Sequence, residues 1–82
     1  MLAAEHEARI FRILTDLTAI PRHEIKPTDR LREDLGMDSV TRMELVSMLA
    51  EEFDMDIELE EAVAIDDVTG ILRLAGSRLG DA

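Results

Sequence analysis

Apolar residues recur three and four positions apart in the first part of the chain. The recurring residues are Ile10, Ile13, Leu14 and Leu17. Charged residues fill most of the positions between them, so the apolar side chains share one face of an α-helix. We predict a first helix from about Ala3 to Thr18. It ends before Pro21 because proline disfavours helical geometry in the residue that precedes it.

The helical period is lost between residues 21 and 37, which include both prolines of the chain. We predict a long loop here, and a loop of this length in a small domain is either anchored to the core or functional. The predicted anchors are the separated apolar residues Ile25, Leu31 and Leu35. Gly36 allows a sharp change of chain direction immediately before Asp38 and Ser39.

The helical period returns from Val40 to Phe53, where the residues form two different stripes. One stripe is an ordinary core face made of Leu45, Val46, Leu49 and Phe53. The other, which we call the mixed stripe, consists of Val40, Met43, Glu44, Ser47 and Glu51. A buried face excludes the glutamates, and a purely solvated face does not favour the two apolar residues. We therefore interpret the mixed stripe as a contact surface.

The last third of the chain predicts one short helix and one longer helix. Residues 54 to 61 are an acidic connector, and a short helix ends near Ile65 with Val63 and Ile65 turned inward. Asp66 or Asp67 can cap the final helix. The apolar spacing of this helix is carried by Val68, Ile71, Leu72, Ala75 and Leu79. Strand alternation is not visible, so we predict an all-α fold with three longer helices and one short helix.

Length and composition indicate one small helical domain, which we expect to span residues 1–82. A domain of 82 residues buries only roughly 60% of its unfolded surface. Phe11 and Phe53 are the only aromatic residues, so the core is built from aliphatic side chains and methionine. The chain has no cysteine, and therefore neither a disulfide nor a thiolate metal site can stabilise it. Any thiol chemistry has to be supplied by another molecule.

The charge balance excludes several classes of partner. Nineteen acidic and nine basic residues give a formal net charge of -10. This charge repels nucleic acid phosphates and anionic lipid surfaces, and it attracts basic patches on proteins. The apolar runs are too short to cross a bilayer, and the N-terminus lacks the features of a signal peptide. We expect a cytoplasmic monomer that neither binds nucleic acid nor inserts into membranes.

Ser39 has an ordinary structural explanation, which is to cap the helix that follows it. Asp38 can do the same, and the sequence contains no capping box here, since Thr41 and Arg42 stand where a glutamate or glutamine is needed. One of the two side chains is therefore free for another role. A phosphate attached to Ser39 would lie at a helix N-terminus, where the helix dipole favours negative charge.

The stretch around Ser39 resembles the acyl carrier proteins, whose signature is Asp-Ser-Leu at the start of the second helix. The matching residues are Leu-Gly-Met-Asp-Ser-Val at 35–40, Glu-Leu at 44–45 and Glu-Glu-Phe at 51–53. The resemblance extends from about Leu31 to Ile71 and more loosely through the first helix. It implies a small four-helix bundle with a long loop between helices one and two. It also implies a carrier and not an enzyme.

The resemblance implies a cofactor and a role for both Asp38 and Ser39 at the start of the second helix. Ser39 would bear 4'-phosphopantetheine, donated by coenzyme A and attached as a phosphodiester, and the terminal thiol of this arm would carry acyl groups as thioesters. Asp38 would contribute to recognition by the phosphopantetheinyl transferase. The resemblance also implies that enzymes with basic patches dock on the mixed stripe, whose residues are Val40, Met43, Glu44, Ser47 and Glu51. Fatty acid, polyketide and related biosynthetic enzymes are the expected partners.

Two departures from the family pattern bear on partner choice. Val40 replaces the usual leucine, and Thr41-Arg42 stand where an acidic residue is common. Arg42 also places a positive charge in the first helical turn, where the helix dipole disfavours it. These departures favour a specialised carrier over one for fatty acid synthesis. A peptidyl carrier is less favoured, because Met37 occupies a position where such carriers commonly have a different residue.

Two alternatives remain beside the carrier. The chain can be an unmodified acidic helical adaptor that binds a basic protein, or an enzyme with Ser39 as its nucleophile. Ser39 lacks the Gly-x-Ser-x-Gly pattern of a nucleophile elbow, and His6 and His23 are interpreted as surface residues. A calcium loop opening at Asp54 lacks the glycine and the final glutamate it requires. We predict neither catalytic nor metal-binding residues.

A hydrophobic cavity among the helices could hold the acyl chain of such a carrier. The predicted lining, in which each residue could equally be plain core, is Leu45, Val46, Leu49, Phe53, Val63 and Ile65.

Overall fold

The chain forms four α-helices in the computed structural model, which describes residues 2–79. The helices are α1 (Ala4–Thr18), α2 (Ser39–Phe53), α3 (Leu59–Ala64) and α4 (Val68–Leu79), with a short 3-10 helix at Arg22–Glu24. Across these described residues the extended pairing is limited to an isolated bridge between Arg30 and Asp67. The predicted all-α fold with three longer helices and one short helix is confirmed. The boundaries of α1 and α2 agree with the prediction to within one residue.

Helix α1 buries three of the four residues that its periodicity marks as its apolar face. Its buried residues are Ile10, Phe11, Ile13 and Leu14, whereas the predicted Leu17 is half-buried. The guanidinium carbon of Arg22 lies 3.4 Å from the centroid of the Phe11 ring and covers it from the loop side. The helix ends at Ala19, which has a left-handed φ of 61° and donates its N–H to the Thr15 carbonyl. The predicted end before Pro21 is therefore confirmed.

The long loop between α1 and α2 is anchored at both its side chains and its backbone. The predicted anchors Ile25, Leu31 and Leu35 are all buried, and Met37 is buried with them. The Leu31 N–H donates to the Asp66 carbonyl at 2.9 Å, and the Val68 N–H donates to the Asp29 carbonyl at 3.0 Å. These bonds join the loop to the start of α4. These contacts fix the path of the loop and with it the place where α2 begins.

The short helix α3 corrects one prediction. Val63 was expected to turn inward, but its side chain is 61% exposed, and Ala62 is buried in its place. The first turn of α3 determines which residues face the core. The Glu61 carboxylate accepts the Glu58 N–H at 3.0 Å and so fixes the residue at which the helix starts. Ile65 follows the helix in an extended conformation and is buried, as predicted. Val63 is consequently not part of the core lining.

The remaining core agrees with the predicted faces of α2 and α4. In α2 the buried residues are Leu45, Val46 and Leu49, whereas Phe53 is half-buried and packs edge to face against His6. In α4 they are Val68, Ile71 and Ala75. Asp67 caps α4 by accepting the Gly70 N–H at 2.8 Å. None of the helices in residues 2–79 is long and apolar enough to cross a membrane.

We predict that Leu49→Ala and Val63→Ala differ sharply in their effect on stability. Leu49 is fully buried, so its truncation should lower the free energy of unfolding by about 2–5 kcal/mol. Val63 is exposed, and its truncation should change the free energy by no more than about 0.5 kcal/mol. Urea unfolding followed by circular dichroism measures both. Equal losses would contradict the outward orientation of Val63.

A second prediction concerns Glu61, whose pKa is held below its ordinary value of 4.5 by hydrogen bonds from the Arg78 side chain and the Glu58 N–H. When folding lowers the pKa of a carboxyl, the ionised carboxylate stabilises the folded state at pH values above the unfolded-state pKa. This stabilisation is lost as the pH falls through the folded-state pKa. Glu61→Gln should therefore be less stable than the parent at neutral pH, and the difference should shrink below pH 4.5.

The matched control is Glu60→Gln, which removes the same charge from an exposed neighbour. Urea midpoints across a pH series give the comparison. The role of the Glu61 charge would be contradicted if the stability lost in Glu61→Gln stayed constant down to acidic pH. It would also be contradicted if Glu60→Gln lost the same stability.

Candidate functional site

The start of α2 separates the roles of two adjacent polar side chains. Asp38 is the N-cap, and its Oδ1 accepts the Thr41 N–H at 2.8 Å. This hydrogen bond is the main reason that the pKa of Asp38 lies below 3.8, its ordinary value. Ser39 is the first residue of α2 and is exposed, and its hydroxyl makes no hydrogen bond to a protein group in residues 2–79. Asp38 therefore does the capping, and the Ser39 hydroxyl is not needed for it.

The segment before Ser39 positions that hydroxyl. Leu35 and Met37 are buried on either side of Gly36, which has a left-handed φ of 70°. Nothing lies within 4 Å of where a Cβ on Gly36 would be, so this glycine is needed for its conformation and not for space. The Met37 N–H donates to the Leu31 carbonyl at 2.8 Å. The chain is thus tied to the core two residues before Ser39.

The mixed stripe is exposed along its whole length, as its composition suggested. Val40 is 68% exposed and Met43 is 46% exposed, which is unusual for large apolar residues. An open groove of ≈ 550 Å³ runs beside Ser39 and is lined by Ser39, Val40, Met43, Glu44, Ser47 and Met48. Glu51 is also exposed but belongs to a neighbouring pocket with Met48 and Glu52. The structure therefore brings four of the five stripe residues together with Ser39.

A second pocket lies on the other side of Ser39 and was not predicted. It has a volume of ≈ 250 Å³, and its lining consists of Arg32, Met37, Asp38, Ser39, Arg42, Met43 and Val63. Nη1 of Arg42 donates to the Val63 carbonyl at 3.3 Å, which connects α2 to α3. Part of this pocket could have been predicted from the sequence, because Ser39 and Arg42 are three residues apart and therefore lie on one helix face. Arg32 comes from the loop, and nothing in its local pattern places it here.

The other candidate residues form no site. The imidazole of His23 is exposed and lies 3.7 Å from a Glu24 carboxylate oxygen. His6 packs against Phe53, with ring centroids 5.5 Å apart. Within the part of the chain that the structure describes, no group of three potential metal ligands comes together, including the acidic connector after α2.

Comparison with known proteins agrees with this geometry. A family model described as "Phosphopantetheine attachment site" matches residues 8–75, which include the loop, α2, α3 and most of α4. Over 73 residues the chain is also 38% identical to a non-reducing polyketide synthase, sor2, from Hypocrea jecorina (strain QM6a). The match covers 89% of this chain and only 3% of the synthase. The resemblance to acyl carrier proteins is confirmed: the chain belongs to the phosphopantetheine attachment family, non-catalytic carrier domains to which 4'-phosphopantetheine is covalently bound.

Proposed function

We propose that the chain is a single carrier domain and that Ser39 is the residue that bears the 4'-phosphopantetheine arm. The observation that carries this proposal is the free, exposed hydroxyl of Ser39 beside an N-cap that Asp38 already satisfies. A transferase can therefore modify Ser39 without removing a hydrogen bond that the helix needs. The arm also supplies the thiol that a chain without cysteine lacks. Acyl groups would be carried on that thiol as thioesters.

The proposal extends to the partner enzymes. Glu44 and Glu51 place negative charge along the mixed stripe, and Val40 and Met43 provide exposed apolar surface between that charge and Ser39. A partner with a basic patch would be steered to this face by charge and would then contact the apolar residues. The transferase would use the same end of α2, including Asp38.

A net charge of -10 disfavours anionic lipid surfaces, so the proposal places this carrier in the cytoplasm with its enzymes.

Polyketide intermediates are the class of cargo that we propose. The support is the similarity to a polyketide synthase, together with Thr41 and Arg42, which depart from the acidic pattern common at this position in acyl carrier proteins. Intermediates of fatty acid synthesis are the alternative cargo, and they would be carried on the same arm. Both pathways use thioesters on the same arm, and they differ in the enzymes that must recognise α2.

The attachment proposal predicts a single modification at Ser39. The apo protein is incubated with coenzyme A and a broad-specificity phosphopantetheinyl transferase, and the intact mass is measured. The parent should gain one arm, and Ser39→Ala should gain none. Ser77→Ala is the matched control, since Ser77 is an exposed serine on α4 outside the mixed stripe, and this variant should be modified like the parent.

Two outcomes would contradict the attachment proposal. An unmodified parent, under conditions that modify a known carrier, would favour the unmodified acidic adaptor. A reactive ester probe that acylates Ser39 directly in the apo protein would favour an enzyme with a serine nucleophile.

The docking proposal predicts that charge reversal on the mixed stripe slows partner enzymes. Glu44→Lys combined with Glu51→Lys should lower kcat/KM of a partner by about tenfold or more at low salt, because the change removes electrostatic steering. The effect should decrease as salt is added. Asp16→Lys with Glu24→Lys makes the same change in net charge at exposed positions outside α2 and serves as the control. Equal losses in both double variants would show that net charge matters and the stripe does not.

A further inference from the structure

Three arginines of this acidic protein line two adjoining pockets at Ser39. The ≈ 250 Å³ pocket that contains Ser39 includes Arg32 and Arg42. A neighbouring pocket of ≈ 400 Å³ is lined by Arg30, Arg32, Glu33, Arg42 and Asp66. Arg32 and Arg42 belong to both pockets. Neither has a carboxylate oxygen within 4 Å among residues 2–79, although acidic residues outnumber basic ones nineteen to nine.

Arg42 is held where it can reach a group on Ser39. It lies three residues after Ser39 in α2, so the two side chains share one face of the helix, with about 5–6 Å between their Cβ atoms. The hydrogen bond to the Val63 carbonyl orients its guanidinium toward α3 and uses one of five N–H donors. The remaining donors have no protein acceptor in the described structure. Arg32 approaches the same pocket from the loop.

The start of α2 holds charges of both signs close to Ser39. Arg42 is a cation in the first turn of α2, where the positive end of the helix dipole repels it. Asp38 carries a negative charge at this helix start, and the hydrogen bond from the Thr41 N–H holds the pKa of its carboxyl below the ordinary value. A phosphodiester on Ser39 would place a second negative charge beside Asp38, and two adjacent anions repel each other. Two arginines in the same pocket would offset both charges, and arginine matches the geometry of phosphate oxygens.

We infer that Arg32 and Arg42 bind the phosphodiester group of the arm once Ser39 carries it. The inference rests on the proposed attachment at Ser39 and adds a binding site for the first group of the cofactor. The phosphodiester is held on the α3 side of Ser39, so the groove along the mixed stripe stays open for a partner. An acidic patch on a partner protein is also attracted to arginines. The phosphodiester is favoured because its attachment point lines the same pocket.

Nuclear magnetic resonance of the apo and holo forms tests this inference directly. Intact mass first confirms that the protein is fully loaded. In ¹⁵N-labelled protein, the arginine Nε–Hε signals of Arg32 and Arg42 should shift between apo and holo forms. In the holo form of the Arg32→Gln, Arg42→Gln double variant, the ³¹P signal should move from its parent position toward that of the same phosphodiester in urea-denatured holo protein, where no folded pocket surrounds it. Added salt should move the parent signal in the same direction.

The control is Arg73→Gln, which removes an arginine from the exposed face of α4, in a groove that does not include Ser39. Its holo ³¹P signal should coincide with that of the parent. Arginine signals that stay unchanged on full loading would overturn the inference while leaving attachment intact. So would signals that move only when a partner protein is added, since the arginines would then serve that protein. Failure of loading, seen in the mass spectrum, would overturn attachment and the arginine site together.

Discussion

The hydrogen bond from the Thr41 N–H to Asp38 Oδ1, 2.8 Å long, satisfies one of the donors that an α-helix leaves open at its start. Because a carboxylate performs this role, the neighbouring hydroxyl of Ser39 has no structural duty. A serine N-cap would lose its hydrogen bond when the oxygen was esterified, and modification would then weaken the helix that presents the arm. The division of roles between Asp38 and Ser39 lets the protein be modified without that loss.

This arrangement depends in turn on the loop that delivers the chain to α2. Four buried side chains hold the loop to the core, and the hydrogen bonds of Leu31 and Val68 join it to the start of α4. The left-handed turn at Gly36 then lets both Leu35 and Met37 reach the core before the chain emerges at Asp38. These contacts give Ser39 a defined position.

The sequence predicted features that follow from local periodicity, and missed those that depend on tertiary packing. Helices α1 and α2 each have four turns of repeating pattern, which is enough to specify both their length and their buried face. Helix α3 has only six residues, so its phase is decided by capping at Glu58 and Glu61, and Val63 faces outward as a result. The free hydroxyl of Ser39 was predictable from the presence of two capping residues. The shared pocket of Arg32 and Arg42 was not, because it joins a loop to a helix.

The two sides of Ser39 differ in charge. This difference corresponds to two tasks of a carrier, which are to attract partner enzymes and to accommodate the phosphodiester of its own cofactor. Glu44 and Glu51 act over distances of about a Debye length, roughly 8 Å at physiological salt, and so can attract a partner before contact. In our proposal, the arginines on the opposite side would act at hydrogen-bond distance on a group attached to Ser39. A single acidic surface around Ser39 would attract basic partners equally well but would repel the phosphodiester of its own cofactor. Arg32 and Arg42 lie in the pocket on the α3 side, and the proposed contact to the phosphodiester would remove that conflict without reducing the negative charge of the mixed stripe.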